Sequence, residues 1–531
     1  MKYRADIDGL RAIAVVSVVI YHLGMPLRGG FTGVDVFFTI SGFLIGLNML
    51  SQVKEGRFSY LDFYERRMRR LMPAFFVVLA FVGVIGWRFF LPNELEALSN
   101  SSIAAIFSVS NFYFLATSGY FDTSSESNPL LHTWSLAVEE QFYLFLPLVL
   151  ALISRAKFAS PRAWLTCIFF ASFFASCAGM YWFPSANFYM LPTRAWELLA
   201  GVLIVMWVPA SVFASAPRRE ALAIAGLALI LGSVLLIKPE MMFPGLTALP
   251  AVLGTAMVIL AGSCGTTKVG QLLSWRPVVT IGLISYSVYL WHWPLIVFSK
   301  FYGINLVDGL SRNQSQAMLF VASLVLGYVS WRFVEQPFRS SSGRFSRPSI
   351  YALTFTFMAG FAGFAAYLVQ SNGAEFRFSE RARAIASHTV GSPEQYRTGQ
   401  CFMASKTSSL ADFDQAQCLP APDGRPRLLV VGDSHAAALW WGFKEALPGV
   451  NVMQATASGC KPVTEQLPRQ HQHCVSLIDF TYRDYLVKNK VDLVVVAARW
   501  REGDMPGLSA TLKWLQSIGV QALVVGPIAQ Y

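Results

Sequence analysis

A chain of 531 residues, 54% hydrophobic and only 14% charged, holds more apolar matter than a water-soluble core can hide, so a bilayer-embedded architecture is expected. The formal net charge of +11 does not mark a nucleic-acid binder, because no basic run with interleaved aromatics sits on the polar part and the basic residues lie mostly between hydrophobic segments. The apolar excess ends near residue 370, and from there to Tyr531 charges recur every few residues, so one domain in the membrane and one in water follow.

Twelve apolar stretches stand out, at about residues 10–27, 34–51, 73–92, 101–116, 135–153, 163–183, 194–208, 221–237, 246–263, 279–299, 315–332 and 350–369. Lys54, Arg57, Arg66, Arg67, Arg69 and Arg70 assign the segment after the second stretch to the cytoplasm, and with it the N-terminus two spans earlier. Arg155, Lys157 and Arg162, then Arg218 and Arg219, Lys268 and Arg276, and finally Arg339, Arg344 and Arg347 also belong inside. All of them reach that side only if one stretch between residues 73 and 150 does not cross. The weakest is 101–116, short and carrying Ser101, Ser102, Ser108, Ser110 and Asn111; demoting it leaves about eleven transmembrane helices and puts the polar domain outside the cytoplasm. The first apolar run has a charge inside it and no small-residue cleavage site after it, so no cleavable signal is expected.

That first run carries Arg11 and His22. Eleven residues at about 100° each end roughly 20° past whole turns, so both side chains fall on one face, about 16 Å apart along the axis, as a ladder from one membrane surface toward the middle. An ionisable group in hydrocarbon costs several kcal/mol unless it is paired or wetted, so a functional role is the first expectation. The alternative is an arginine snorkelling at the membrane edge and a histidine bonded to a neighbouring carbonyl.

Further polar residues fall at helical spacings. His132, Ser135 and Glu139 recur at i, i+3 and i+7 with Glu140 beside them, a stripe on which an imidazole and a carboxylate could share a proton, as acyl transfer to a hydroxyl requires. Arg67 and Arg70 precede Pro73 at an expected helix N-terminus, where arginine forks and free N–H groups would accommodate phosphate; a plain positive-inside anchor fits the same charges. Arg194 and Glu197 read as an internal ion pair rather than as catalysts. Tyr286, Tyr289 and His292 in SYSVYLWHWP either line the same cavity or pack around a satisfied histidine.

In the polar part lie four of the seven cysteines, Cys401, Cys418, Cys460 and Cys474. An even set in an exported domain reads as disulfides, and neighbour pairing would close loops worth roughly 3 kcal/mol each, although four buried thiols also fit the sequence. PRLLVVGDSHAAALWWGF reads as a buried strand at 428–431, a tight turn at 432–435 and a helix, which is how a nucleophile is presented at the end of a parallel strand. Strands at 493–498 and 522–527, with helix-like segments between them, indicate an α/β sheet of crossover units.

The blocks R-x10-H (Arg11, His22), GVDVFFTISGFL (33–44), RRMRRLMP (66–73), LHTWSLAVEEQFYLFLP (131–147), LPTRAWELLAG (191–201), ISYSVYLWHWPL (284–295) and RFVEQPFR (332–339) together resemble the acyltransferase-3 family of integral membrane acyltransferases. The resemblance covers roughly residues 1–340 and implies transfer of an acyl group, usually acetyl from cytoplasmic acetyl-CoA as co-substrate, to a carbohydrate beyond the membrane. It implies His22 as general base or transient acyl carrier with Glu139 as a second catalytic residue, and Arg11, Arg67 and Arg70 as the contacts to acetyl-CoA. Asp35, His132, Ser135, Arg194, Glu197, Tyr289 and His292 are assigned to substrate or structural support, and no metal is expected.

The GDSH stretch resembles the SGNH hydrolase family, fused behind such a membrane domain as in bacterial O-antigen and peptidoglycan O-acetylases. Ser434 then matches the nucleophile, with its own N–H and that of Gly459 as oxyanion donors. Two departures stand out. AARWREG (497–503) has no oxyanion Asn, and the chain reaches Tyr531 without the D-x-x-H block that supplies acid and base, which reads as truncation rather than degeneracy. Unless His435, His471 or His473 substitutes, Ser434 has no base and is a weak nucleophile.

The expected organisation is a polytopic α-helical membrane protein followed by an α/β SGNH-like periplasmic domain incomplete at its C-terminus. Residues 1–337 form the acyltransferase-3 domain, 338–375 a cytoplasmic loop, final helix and linker, and 376–531 the SGNH-like domain. The expected function is a bacterial inner-membrane O-acetyltransferase, surrounded by membrane lipids, acting on a cell-envelope glycan, with O-antigen of lipopolysaccharide as acceptor and peptidoglycan as the alternative. Its N-terminus is cytoplasmic, nucleic acid is not a partner, and the oligomeric state is open. The rival from another class is a transporter of acyl donor or lipid-linked glycan, weakened by the lack of an inverted repeat.

Overall fold

The computed structural model describes residues 3–54, 57–117, 126–155, 160–207, 215–303, 307, 309–339, 345–387, 393–404, 408–465 and 472–526. Two compact units divide the chain, Met1–Ala386 and Ser387–Tyr531. The division falls later than the expected boundary at 375/376 because the segment after the last long helix is tied back. Arg377 donates to the carbonyls of Trp87 and Phe90, the latter at 3.3 Å, and its guanidinium lies 4.4 Å from the Trp87 ring centroid.

The first unit is helical. Among the described residues ten helices are long and apolar enough to cross a membrane. They are built on α2 (Gly33–Lys54), α3 (Tyr60–Phe89), α6 (Thr133–Arg155), α7 (Pro161–Trp182), α8 (Leu191–Trp207), α9 (Ala216–Leu236), α10 (Leu249–Ser263), α11 (Arg276–Tyr302), α12 (Arg312–Ser330) and α13 (Arg347–Gln370). The first helix, α1 (Ala5–His22), has 18 residues but carries Asp6, Asp8 and Arg11. It starts earlier than the expected 10–27 because two aspartates in the first turn suit the positive end of the helix dipole, and it stops before Gly24, whose φ of 70° ends the helix.

α1, with three charges in 18 residues, is not one of the ten, so the eleven spans expected would be reached only by counting it as well; 101–116 is not among the ten. α4 (Pro92–Ile106) stops at Phe107, Ser108 adopts φ 55°, and α5 (Ser110–Thr117) restarts the chain, so the stretch 101–116 is split between two helices and is not one continuous span. α1 packs along α11. At Gly282 of α11 an added Cβ would lie 1.8 Å from the Asp8 carbonyl oxygen, so only glycine permits this approach, in the way small residues bring membrane helices together.

The second unit carries a five-stranded parallel sheet in the order β1-β3-β2-β4-β5, made of β1 (Phe402–Met403), β2 (Arg427–Gly432), β3 (Asn451–Ala457), β4 (Leu493–Ala497) and β5 (Gln521–Val525). The helices α14 (Ser434–Ala446), α15 (Gln472–Asp479) and α16 (Met505–Ser517) lie in the crossovers. Gly432 is opposite both Thr456 and Ala497, so the three central strands end level. The neighbour pairing of cysteines is present: Cys401 bonds Cys418 and Cys460 bonds Cys474, at sequence separations of 17 and 14. All four cysteines are buried in the core of this unit.

Candidate functional site

α3 opens at Ser59, whose hydroxyl accepts from the Asp62 amide at 3.3 Å, and runs through Pro73. The expected helix start before Pro73 is therefore absent, and Arg67 and Arg70 have no free N–H groups beside them; any anion there meets arginine side chains alone. At about 100° per residue Arg66, Arg70 and Arg67 span an arc of about 100°, and Arg69 lies about 60° further round the helix beyond Arg66, about 160° from Arg67. The first three line a cavity of about 350 Å³ together with Arg11, Ser41, Glu139, Glu140, Tyr143, Ser135 and Tyr289, a size within the range of small-molecule sites. Four arginines against two glutamates leave it cationic. Arg69 is instead buried and holds Glu65 at 2.9 Å and the carbonyl of Phe345 at 2.8 Å.

Arg67 is braced from several sides. It lies 3.2 Å from Glu140 and 4.0 Å from Glu139, and its guanidinium is 3.2 Å from the Tyr143 ring centroid. Glu139 accepts from both Ser41 and Tyr143. Arg70 makes no hydrogen bond or ion pair among the described residues, which leaves its donors for a ligand. Arg11 is buried and reaches Asp8 at 3.3 Å, one turn earlier on α1.

The shared proton expected between His132 and Glu139 does not exist. The two stand on one face but two turns apart, about 10 Å along the axis, so common phase does not bring them into contact. His132 lies at the start of α6, where its ring sits 5.8 Å from that of His292 and 5.5 Å from that of Tyr289. Neither of its ring nitrogens makes a hydrogen bond of ordinary geometry. Ser135 pairs with the Tyr289 hydroxyl at 2.7 Å. His292, fully buried, has Nδ1 2.6 Å from the Tyr289 carbonyl and Nε2 3.0 Å from Nδ1 of His22, at the last residue of α1. The two imidazoles meet edge to edge through these nitrogens, with centroids 5.2 Å apart and planes 13° apart, and Trp293 packs edge-on against His22 at 4.8 Å between centroids. Tyr289 therefore lines the arginine cavity while His292, one turn on, faces His22.

The ion pair of Arg194 and Glu197 is present at 3.3 Å and has a third member, Asp35 of α2, at 3.0 Å from Nη2. All three are essentially without solvent contact, and Phe38, Trp134, Phe188 and Phe243 surround the guanidinium at 5.5–5.8 Å. Removing one partner from a buried ion pair leaves an uncompensated charge and typically costs about 3–5 kcal/mol. Asp35, Arg194 and Glu197 are absent from the lining of the cavity and act as a brace between α2 and α8.

In the second unit Ser434 opens α14, half-buried, at the carboxyl end of β2, where ligands of open parallel sheets bind. Gly432 adopts φ 146° and an added Cβ would lie 1.7 Å from the Ala497 carbonyl oxygen, which explains the glycine of GDSH. Asp433 caps the helix: one carboxylate oxygen accepts from the His435 amide at 2.9 Å and the other from the Arg499 amide at 2.8 Å. Gly459, at φ 61°, lies in the turn after β3, three residues beyond Thr456 and hence at the same edge as Ser434. Of the three substitute bases, His473 is turned to the Ser458 carbonyl at 3.2 Å, His435 keeps Nδ1 buried and unbonded, and His471 lies outside the described residues. Trp500, in the stretch without the Asn, directs its indole N–H to the Val525 carbonyl at 3.0 Å. Among the described residues no group of three His, Cys, Asp or Glu side chains could hold a metal ion.

Comparison with known proteins follows the same division. Residues 4–332 match the family described as "Acyltransferase domain", the acyltransferase-3 family. The chain belongs to it. Residues 400–531 match the "SGNH domain (fused to AT3 domains)". The chain is 34% identical over 357 residues to the peptidoglycan O-acetyltransferase OatA of Listeria monocytogenes, covering 64% of this chain and 56% of that protein. It is 31% identical over 362 residues to the O-acetyltransferase OatA of Staphylococcus aureus, covering 64% and 57%. The chain thus spans a little over half the length of the curated relatives it matches. No solved structure matches.

Within this acyltransferase-3 fold the structure gathers Arg11, Arg67, Arg70, Ser135, Glu139 and Tyr289 around one cavity and sets His22, His132 and His292 beyond Tyr289. Sequence reasoning passed over Ser41, Arg66 and Tyr143 as cavity residues. Serine and tyrosine carry no charge and are tolerated in apolar helices, so hydropathy alone does not single them out; Ser41 inside GVDVFFTISGFL was the available signal.

Proposed function

We propose that this protein is an integral-membrane O-acetyltransferase that moves acetyl from acetyl-CoA to a hydroxyl of a cell-envelope glycan, and that the glycan is peptidoglycan. One observation carries the reading: a cationic cavity with an unengaged Arg70 and a buried Arg11, followed along α1 by a histidine held at its far end. The separation of Arg11 and His22, about 16 Å along the helix, suits a donor whose phosphates rest on arginines while an extended pantetheine arm carries the thioester past Tyr289. Peptidoglycan is favoured over O-antigen by the likeness to the peptidoglycan O-acetyltransferase of Listeria monocytogenes.

Arg11, Arg67 and Arg70 hold the phosphates of acetyl-CoA. Glu139 and Glu140 keep Arg67 pointed into the cavity, a supporting part rather than the direct catalysis expected of Glu139. At His22 the O–H bond of the hydroxyl that first receives acetyl breaks and its proton passes to the imidazole, the oxygen forms the new bond to the acetyl carbon, and the C–S bond of the thioester breaks; Ser434 completes the transfer to the glycan. The departing thiolate then takes that proton from His22, so the reaction balances as thioester plus alcohol to ester plus thiol. The protein is a multi-pass membrane protein; its place in a bacterial inner membrane, with the N-terminus cytoplasmic and the SGNH domain periplasmic, belongs to the proposal and is supported by the two disulfides.

The direct test reconstitutes the full-length protein in liposomes with labelled acetyl-CoA and offers peptidoglycan fragments or lipopolysaccharide. Label is expected as an ester on the peptidoglycan fragments. Label on lipopolysaccharide only would reverse the choice of acceptor, and consumption of neither would favour a transporter. Single cysteines introduced beside Arg67 and beside Gly424 are expected to react with impermeant maleimide from opposite faces of the membrane; reaction of both from one face would refute the eleven-span parity.

A further inference from the structure

Two nitrogens of a neutral imidazole are not equivalent: one is a donor, the other an acceptor, and the partner of one decides the chemistry of the other. At His292 the assignment is forced. The Tyr289 carbonyl 2.6 Å from Nδ1 can only accept, so Nδ1 of His292 carries the proton. Its Nε2, 3.0 Å from Nδ1 of His22, is then a lone pair, and His22 must donate from Nδ1. The remaining nitrogen of His22, Nε2, is left as the acceptor, and it makes no hydrogen bond among the described residues.

Resting on the reading of His22 as the base, we propose that His292 is a positioning residue that locks His22 in the Nδ1–H tautomer and so makes Nε2 of His22 the nitrogen that takes the acceptor's proton. A free histidine in water prefers the opposite tautomer, with the proton on Nε2, so without His292 the basic nitrogen would face α11 instead of the substrate. The lock is rigid for three reasons. His292 is fully buried, its ring lies nearly parallel to that of His22, and Trp293 closes on His22 from the side while its own indole N–H is held by the Asn128 carbonyl at 2.9 Å. The contact joins residues 270 apart in sequence, on two helices whose backbones also approach closely at Gly282.

The test reads the tautomer directly. Full-length protein with 15N-labelled histidine in lipid nanodiscs is expected to show a protonated, pyrrole-type Nδ1 and a pyridine-type Nε2 for His22, assigned by loss of the signals in His22→Ala. In His292→Gln the carboxamide oxygen can still accept, so the tautomer should persist and kcat stay within about tenfold. In His292→Leu the Nε2–H form should appear and kcat for acetyl transfer fall by about 10²–10⁴-fold, the range for loss of a correctly disposed base, with KM for acetyl-CoA unchanged. A pyridine-type Nδ1 in the unmodified protein overturns the proposal even if His292→Leu fails to accumulate. So does an unchanged kcat in His292→Leu when His22→Ala is inactive. A fully active His22→Ala would remove the base reading itself, whatever the tautomer, and the proposal with it.

Discussion

Replacing His22 with alanine is expected to lower glycan acetylation by at least about 10²–10⁴-fold, the contribution of a general base, while the protein still inserts and accumulates. The expectation rests on structure as well as on motif. His22 stands at the last residue of α1 with one nitrogen engaged by His292 and the other unengaged, whereas a histidine serving only to pack would have both nitrogens satisfied or its ring enclosed. The substitution removes a half-buried ring that Trp293 and His292 contact, so some loss of stability accompanies it, but the helix itself keeps an alanine, the best helix former. Mass spectrometry of released glycan, normalised to the amount of protein in the membrane, measures the effect. Acetylation near the level of the unmodified protein would end the role given to His22.

The second large effect concerns Ser434. Acetyl-CoA is large and charged and is expected on the cytoplasmic side, so it meets the arginine cavity of the first unit, whereas Ser434 opens α14 in a unit of its own. If acetyl passes in series, Ser434→Ala stops acetylation of the glycan but leaves hydrolysis of acetyl-CoA or an acetylated membrane intermediate detectable. Arg11→Ala and His22→Ala remove both. Labelled acetyl-CoA, followed by separation of protein-bound, free and glycan-bound label, distinguishes these outcomes. Unchanged glycan acetylation in Ser434→Ala would assign the whole transfer to the first unit and reduce the second to acceptor binding. The serine itself is easily spared by the fold: it occupies the first turn of α14, while Asp433 makes the capping bonds to His435 and Arg499.

Two features bear on how far such variants perturb the structure. The brace of Asp35, Arg194 and Glu197 lies away from the cavity lining, so changes at Arg11 or Arg70 leave it intact. Gly459 directly precedes Cys460, whose bond to Cys474 anchors that side of the turn independently of Ser434.

Much of this protein was legible in the chain alone, and for identifiable reasons. Arginine and histidine inside an apolar run are costly enough that Arg11 and His22 stand out without any structure. The Lys and Arg between spans, the five polar residues of 101–116 and the even set of four cysteines outlined the membrane unit, its broken fourth stretch and its disulfide-bonded partner. GDSH after an apolar run announced a strand, a turn and a helix because each step is local. β3 was hidden by Gln454 and Thr456, which interrupt its apolar pattern yet are buried, since their side chains bond to each other at 2.8 Å.

Only the tertiary structure decided which residues meet. Periodicity states which side chains share a face of one helix, and it placed His132 with Glu139 although two turns of axis separate them. It is silent on contacts between helices, because those depend on how closely two backbones approach and at what rotation. Asp35 reaching Arg194, Ser41 reaching Glu139 and His292 reaching His22 join residues 159, 98 and 270 apart. Pro73 in the middle of α3 was misread for the same reason: in a helix packed into a bundle, the surrounding contacts outweigh the cost of one missing backbone hydrogen bond, so a local start signal did not start the helix.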